Sequence, residues 1–205
     1  MELIELTVKE FAALTASDAP APGGGSISAL CGALSAALVE MVANLTVNKE
    51  KYKEYKEEMC DILNFVSNIR QKLLLAVDED TRAFDKYMAA LSLPKGSEER
   101  KQAMQEGLKE AAQVPLSVAE TVCTLFPKLE LALTHGNSNA VTDAMVGTML
   151  ARTCALGAIY NVRINLSSIA DEAFMNELNQ KCDALQNIAM EEERRLLSAI
   201  SISGL

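Results

Sequence analysis

From Ile27 to Leu45 the chain carries a single charge, Glu40, in nineteen residues otherwise drawn largely from Ala, Ser, Gly and Leu. A helix this apolar has two resting places, the interior of a bundle or a bilayer, whose core takes about 20 such residues to cross. Small residues dominate the run, and Glu40 lies toward one end with Asn44 close behind. The interior of a helical bundle is therefore the expectation, with no membrane partner.

The rest of the chain reads as helix around that segment. Thr7-Val8-Lys9-Glu10 has the capping-box pattern and opens a short helix to about Leu14. Ser26 is the expected N-cap of the apolar helix, which should reach Val47. A long helix is expected from near Lys51 to about Ala90, followed by a turn at Leu93-Pro94-Lys95-Gly96 and a new start capped by Ser97. Pro115 should kink or restart that helix, and Pro127 should do the same further on. His135-Gly136-Asn137-Ser138-Asn139 reads as a loop, and helices should span Ala140 to Asn165 and Asp171 to Ile200. No window alternates with period two, so the fold class is all-α, a bundle of long helices in one domain over residues 1–205.

Composition removes several functions. The net charge of −9 argues against a nucleic-acid surface, which needs clustered Lys and Arg. The five cysteines are scattered and form no CxxC pair, which suits reduced core thiols in a cytoplasmic protein. His135 is the only histidine, so no metal site built on several imidazoles is possible, and no metal is expected. The acidic start Met1-Glu2-Leu3-Ile4-Glu5 is unlike a signal peptide.

Three stretches could carry chemistry. In Asp18-Ala19-Pro20-Ala21-Pro22-Gly23-Gly24-Gly25-Ser26, prolines stiffen the approach to three glycines and then a helix start, a setting for backbone contact with a ligand. It matches neither GxxxxGK[ST] nor GxGxxG, which weakens a nucleotide-binding reading and leaves a backbone-lined ligand site open. Glu40, Asn44 and Asn48 continue one helix face from Ser26 and make a polar stripe on an apolar helix; Glu40 and Asn44 are expected to be buried against partners or ligand. In Val77-Asp78-Glu79-Asp80-Thr81-Arg82-Ala83-Phe84, Asp80 shares a side with Phe84, and Asp78 shares another with Arg82. A solvated charge run with an Asp78–Arg82 pair explains it; an Asp80 made a proton-transfer group by an apolar wall explains it too. The helix beginning at Ala140 repeats the small-residue texture through Ala144, Gly147, Ala151, Ala155 and Ala158, suiting close helix packing or a ligand cleft.

Taken in order, these motifs resemble the formiminotetrahydrofolate cyclodeaminase family. The matching stretches are Asp18 to Ser26, Leu38 to Thr46, Val77 to Phe84, Leu93-Pro94-Lys95, Gly136 to Ala140 and Gly157 to Leu166, in register over nearly the whole chain. Departures are slight: Thr142 stands where the family usually has Ser, and Ala43 where Cys is frequent. The resemblance implies a dimer-forming all-α protein, in its free-standing form, acting on one-carbon-substituted tetrahydrofolate. It implies conversion of 5-formiminotetrahydrofolate to 5,10-methenyltetrahydrofolate with release of ammonia. Alternatives are a methenyltetrahydrofolate cyclohydrolase and a non-catalytic folate-binding dimer. On this footing Asp80, and after it Asp78 or Glu40, is the acid/base candidate. Gly23, Gly24, Gly25, Ser26, Asn44, Asn137, Asn139 and Asn161 would hold the pterin and folate tail, and Lys95 would meet the tail carboxylate. No cofactor beyond the tetrahydrofolate substrate is implied, and the partner is a second copy of the chain.

Overall fold

The apolar segment forms the central helix of the bundle. In the computed structural model, which describes residues 2–200, the chain runs through seven α-helices: α1 (Val8–Thr15), α2 (Gly24–Val47), α3 (Lys56–Leu91), α4 (Glu98–Cys123), α5 (Phe126–His135), α6 (Val141–Leu166) and α7 (Glu172–Ser198). Short 3-10 turns at Leu3–Glu5, Glu50–Tyr55 and Ser138–Ala140 complete it, and no strand occurs among the described residues. Met1 and residues 201–205 of the expected domain lie outside the described residues.

Helix α2 packs against α3 on one side and α6 on another, α4 bridges α3 and α6, and α7 lies on the outside of α6. Small residues make the α2–α6 contact close. A Cβ on Gly32 would lie 2.7 Å from the Cys154 sulfur, one on Gly147 3.5 Å from the Ser35 carbonyl, and one on Gly24 3.1 Å from the Asn161 amide. The pairs 24–161, 32–154 and 35–147 run in opposite directions, so α2 and α6 are antiparallel. The core around them is aliphatic, with Val39, Val42, Ile62, Val77, Ile159 and Val162 fully buried. Helix α2 is long and apolar enough to cross a bilayer, but much of it is covered by these neighbours.

Three element boundaries differ from the sequence reading. Helix α2 begins at Gly24 with Gly23 as N-cap, so Ser26 is not the cap. The long third helix does not start at Lys51; a 3-10 turn over Glu50–Tyr55 precedes it, broken by a non-helical Tyr52. Pro115 does not restart α4, which runs through it. Pro127, in contrast, does mark a new helix, at the start of α5. The capping box at Thr7 and Glu10 forms as read, and Ser97 and Asp171 cap α4 and α7.

Candidate active site

The bare start of α2 is completed from α3. Gly23 has no side chain to receive the free N–H groups of the first turn, and the Asp80 carboxylate supplies the missing acceptor. Its Oδ2 accepts from the Ser26 N–H at 2.9 Å and lies 3.2 Å from the Ser26 hydroxyl. That hydroxyl donates to the Val77 carbonyl at 2.9 Å, which leaves its oxygen able to accept from Asp80 whenever the carboxyl is protonated. Gly25 is what permits the approach: a Cβ there would overlap the Asp80 carboxylate. Its role is room for an acid, not unusual backbone angles.

Asp80 opens onto a pocket of about 230 Å³ lined by the Pro20–Gly25 loop, Asp80, Thr81 and Phe84 of α3, Ala111 of α4, and Asn161, Ile164 and Asn165 of α6. Burial pushes the Asp80 carboxyl above the ordinary aspartate range, and its contacts with the Ser26 N–H and hydroxyl only partly offset this. Thr81, in the same wall, has a buried hydroxyl with no hydrogen-bond partner. Its helical acceptor, the Val77 carbonyl, is already taken by Ser26. Phe84 and Ile164 give the pocket apolar walls, and both are exposed.

The two asparagines are held through their amide nitrogens. Asn161 Nδ2 donates to the Gly157 carbonyl at 2.8 Å. Asn165 Nδ2 donates to the Asn161 and Ala111 carbonyls, each at 2.9 Å. Ala111 lies four residues before Pro115, which has no N–H to give it, so Asn165 supplies the donor that the helix lacks. Asn165 was absent from the sequence-derived site. The signal that could have found it is an asparagine one turn beyond Asn161 on the same helix face.

The other sequence candidates lie elsewhere in the chain. Asp78 is 7% exposed and accepts from the Leu3 and Ile4 N–H groups at 2.6 and 3.4 Å, tying the N-terminal arm to α3. The Asp78–Arg82 pair does not form; Arg82 lies 3.7 Å from Glu2. Glu40 takes the Arg70 Nε at 3.1 Å on both oxygens and links α2 to α3. Asn44 is exposed, contrary to the burial expected for it, because it lies on the face of α2 turned away from Val42, Ala43 and Thr46, which are buried. Asn137 is buried and holds the loop together, donating to Thr46 Oγ1 and the Leu45 carbonyl and accepting from Asn139 N–H. Asn139 and Lys95 are exposed, and neither lines the pocket. Asn44 lies about 30 Å along α2 from Gly24. The single histidine, His135, stacks on Tyr55 at 4.1 Å and contacts Glu58 at 2.6 Å, at the same far end. Of the sequence candidates, Gly23, Gly24, Gly25, Ser26, Asp80 and Asn161 come together.

Comparison with known proteins shows the family. Residues 7–184 match the sequence model of the formiminotransferase-cyclodeaminase family. A methenyltetrahydrofolate cyclohydrolase of Methylorubrum extorquens is 36% identical over 183 residues, covering 87% of this chain and 88% of that one. The formimidoyltransferase-cyclodeaminase of Gallus gallus is 35% identical over 184 residues, and this chain spans only 34% of its length. The crystal structure of a formiminotetrahydrofolate cyclodeaminase from Thermotoga maritima superposes with a TM-score of 0.87 at 32% identity, covering 96% of each chain. The chain belongs to the formiminotransferase-cyclodeaminase family.

Proposed function

We propose that the protein is a folate one-carbon enzyme that closes 5-formiminotetrahydrofolate to 5,10-methenyltetrahydrofolate with release of ammonia. The observation that carries this reading is Asp80, an acid with a raised pKa at the edge of a pocket that has an aromatic wall and hydrogen-bonding amides. In this reaction N10 attacks the formimino carbon, loses its proton, and the former imine nitrogen leaves as ammonia carrying one proton more. Starting from the protonated formimino group, one proton moves from N10 to the leaving nitrogen and none is gained or lost overall. A single carboxylate can take it from the first and give it to the second, and a pKa raised toward neutrality suits both halves. Ser26 steadies the group in either state. The pocket is smaller than the about 300–1,000 Å³ usual for drug-sized ligands, so it takes the ring and one-carbon head while the folate tail lies outside.

A second reading has a specific observation in its favour: the relative that shares 36% identity over most of both chains is a cyclohydrolase. Hydrolysis of the methenyl carbon to 10-formyltetrahydrofolate needs the same ring pocket and a base for water, again Asp80. Giving the purified protein each substrate separately, and following ammonia and methenyl absorbance, tests both. Ammonia release from the formimino substrate is expected; loss of methenyl absorbance alone would make it a cyclohydrolase, and no change with either would end both readings.

We infer further that it works as a homodimer in the cytoplasm, where its five free thiols stay reduced. An apolar face supports the dimer. Leu34, Val146 and Tyr160 each precede a residue of the α2–α6 contact, and in antiparallel helices one step back turns to the same side of the pair. Those three, with Met41, Leu45 and Met149, are exposed. The face continues into an apolar hollow of about 540 Å³ bordered by Ile27, Leu30, Leu34 and Phe11. An uncharged face of this kind fits a second copy of itself.

A further inference from the structure

The pocket asparagine that the sequence did not single out has its orientation fixed by a proline on another helix. An asparagine amide has two N–H donors and one oxygen. Both donors of Asn165 are engaged by backbone carbonyls, those of Asn161 and Ala111. Flipping the amide would set its oxygen against two carbonyl oxygens, so the flipped form is excluded electrostatically. The Oδ1 atom, which takes no donor among the described residues, belongs to a side chain lining the pocket. The Ala111 carbonyl is available because Pro115, four residues on in α4, has no N–H.

We propose that Asn165 is a substrate-contacting residue whose Oδ1 accepts a hydrogen bond from the amine-bearing edge of the ligand ring, and that Pro115 is its positioning residue. This rests on the folate reading above and names the part of the ring that the site recognises. Asn161, one of whose N–H groups is held by the Gly157 carbonyl, lies one turn earlier on α6 and keeps its second N–H free among the described residues. The Asn165 oxygen thus selects a ring edge that carries N–H groups, such as the 2-amino and N3–H edge of a pterin. A ring lacking those donors would cover this acceptor and leave it unpaired, which is a strong basis for rejection.

Pro115→Ala separates this role from a structural one. Restoring an N–H to α4 gives the Ala111 carbonyl its helical donor and competes with Asn165, while removing a proline from a helix interior favours the fold. The variant should therefore melt no lower than wild type yet bind tetrahydrofolate about five- to tenfold more weakly by calorimetry, with kcat within about twofold. Asn165→Ala should weaken binding about tenfold or more. Wild type should bind a 2-desamino-2-methyl analogue about tenfold more weakly than tetrahydrofolate, and Asn165→Ala should show much less discrimination. Wild-type affinity in both variants, or equal affinity of wild type for ligand and analogue, would overturn the assignment. Binding of tetrahydrofolate without turnover would remove the proposed reaction and leave the asparagine to be judged on affinity alone; no binding by wild type would remove both.

Discussion

At the residue scale the site turns on the contact between Asp80 and Gly25. Asp80 accepts a hydrogen bond from the Ser26 N–H and lies against its hydroxyl, but burial outweighs these contacts and its pKa is raised. Relative to the unfolded chain, where the group titrates near about 4, the native state then favours the protonated form. Stability from this group is present at low pH and is lost as pH rises from that value through the raised native pKa. Asp80→Asn keeps an acceptor for the Ser26 N–H and removes the buried charge. It should melt no lower than wild type near neutrality and show a flatter stability profile across that window, by thermal melts at several pH values. Turnover should fall about 10² or more, since the amide accepts no proton. In wild type the acid limb of kcat should lie above the ordinary carboxylate range, because Asp80 must be ionised to take the N10 proton. Gly25→Ala should be nearly as damaging to turnover, and destabilising as well, because its methyl displaces the carboxylate. Gly23→Ala, whose Cβ would meet nothing nearer than the Pro20 carbonyl at 4.0 Å, should melt close to wild type.

At the scale of elements, the bundle depends on how closely α2 lies on its neighbours. A Cβ on Gly32 would approach the Cys154 sulfur at 2.7 Å and Leu73 Cδ1 at 3.0 Å, so Gly32→Val must push α2 away from both α6 and α3. Overpacking of this kind costs about 1–3 kcal/mol, so Tm should drop by roughly 3–10 °C in a calorimetric scan. A melt unchanged within a degree would show that the helices can slide apart freely. Elements whose signals are local were legible in the sequence: the Thr7–Glu10 capping box, the Ser97 cap, and the small-residue texture of α2 and α6. Features set by distant contacts were not. Helix α2 starts before Ser26 because its cap comes from Asp80, 54 residues away. Asp78 serves the N-terminal arm because the fold brings Leu3 and Ile4 to it. Pro115 stays inside α4 because Asn165 satisfies the carbonyl that it orphans. The glycine loop and Asp80 could be proposed as separate parts of a site, but only the packing of α2 on α3 made them one.

At the scale of the whole molecule, the folate-family motifs split into two groups at opposite ends of α2. Asp80, the glycine loop and Asn161 are at its N-terminal end; Asn44 is exposed near its C-terminal end, about 30 Å away. One protomer cannot bring them to one substrate. The uncharged α2–α6 face resolves this if two copies pair on it across a two-fold axis near the middle of α2. Each α2 then runs antiparallel to its counterpart, and the C-terminal end of one approaches the N-terminal end of the other. Asn44 would meet the pocket of the partner subunit, and the same pairing would cover Leu34, Met41 and Tyr160. Subunit mixing tests this arrangement directly. Asp80→Asn and Asn44→Ala homodimers should each be impaired. After co-refolding in equal amounts, half of the dimers are mixed, each with one doubly altered site and one intact site, so activity should return to about a quarter of wild type. If both residues acted within one chain, every site would carry one lesion and mixing would restore nothing. Light scattering on Leu34→Glu, which places a charge in the centre of the face, should then show a monomer, and that monomer should lack turnover while keeping its helical content.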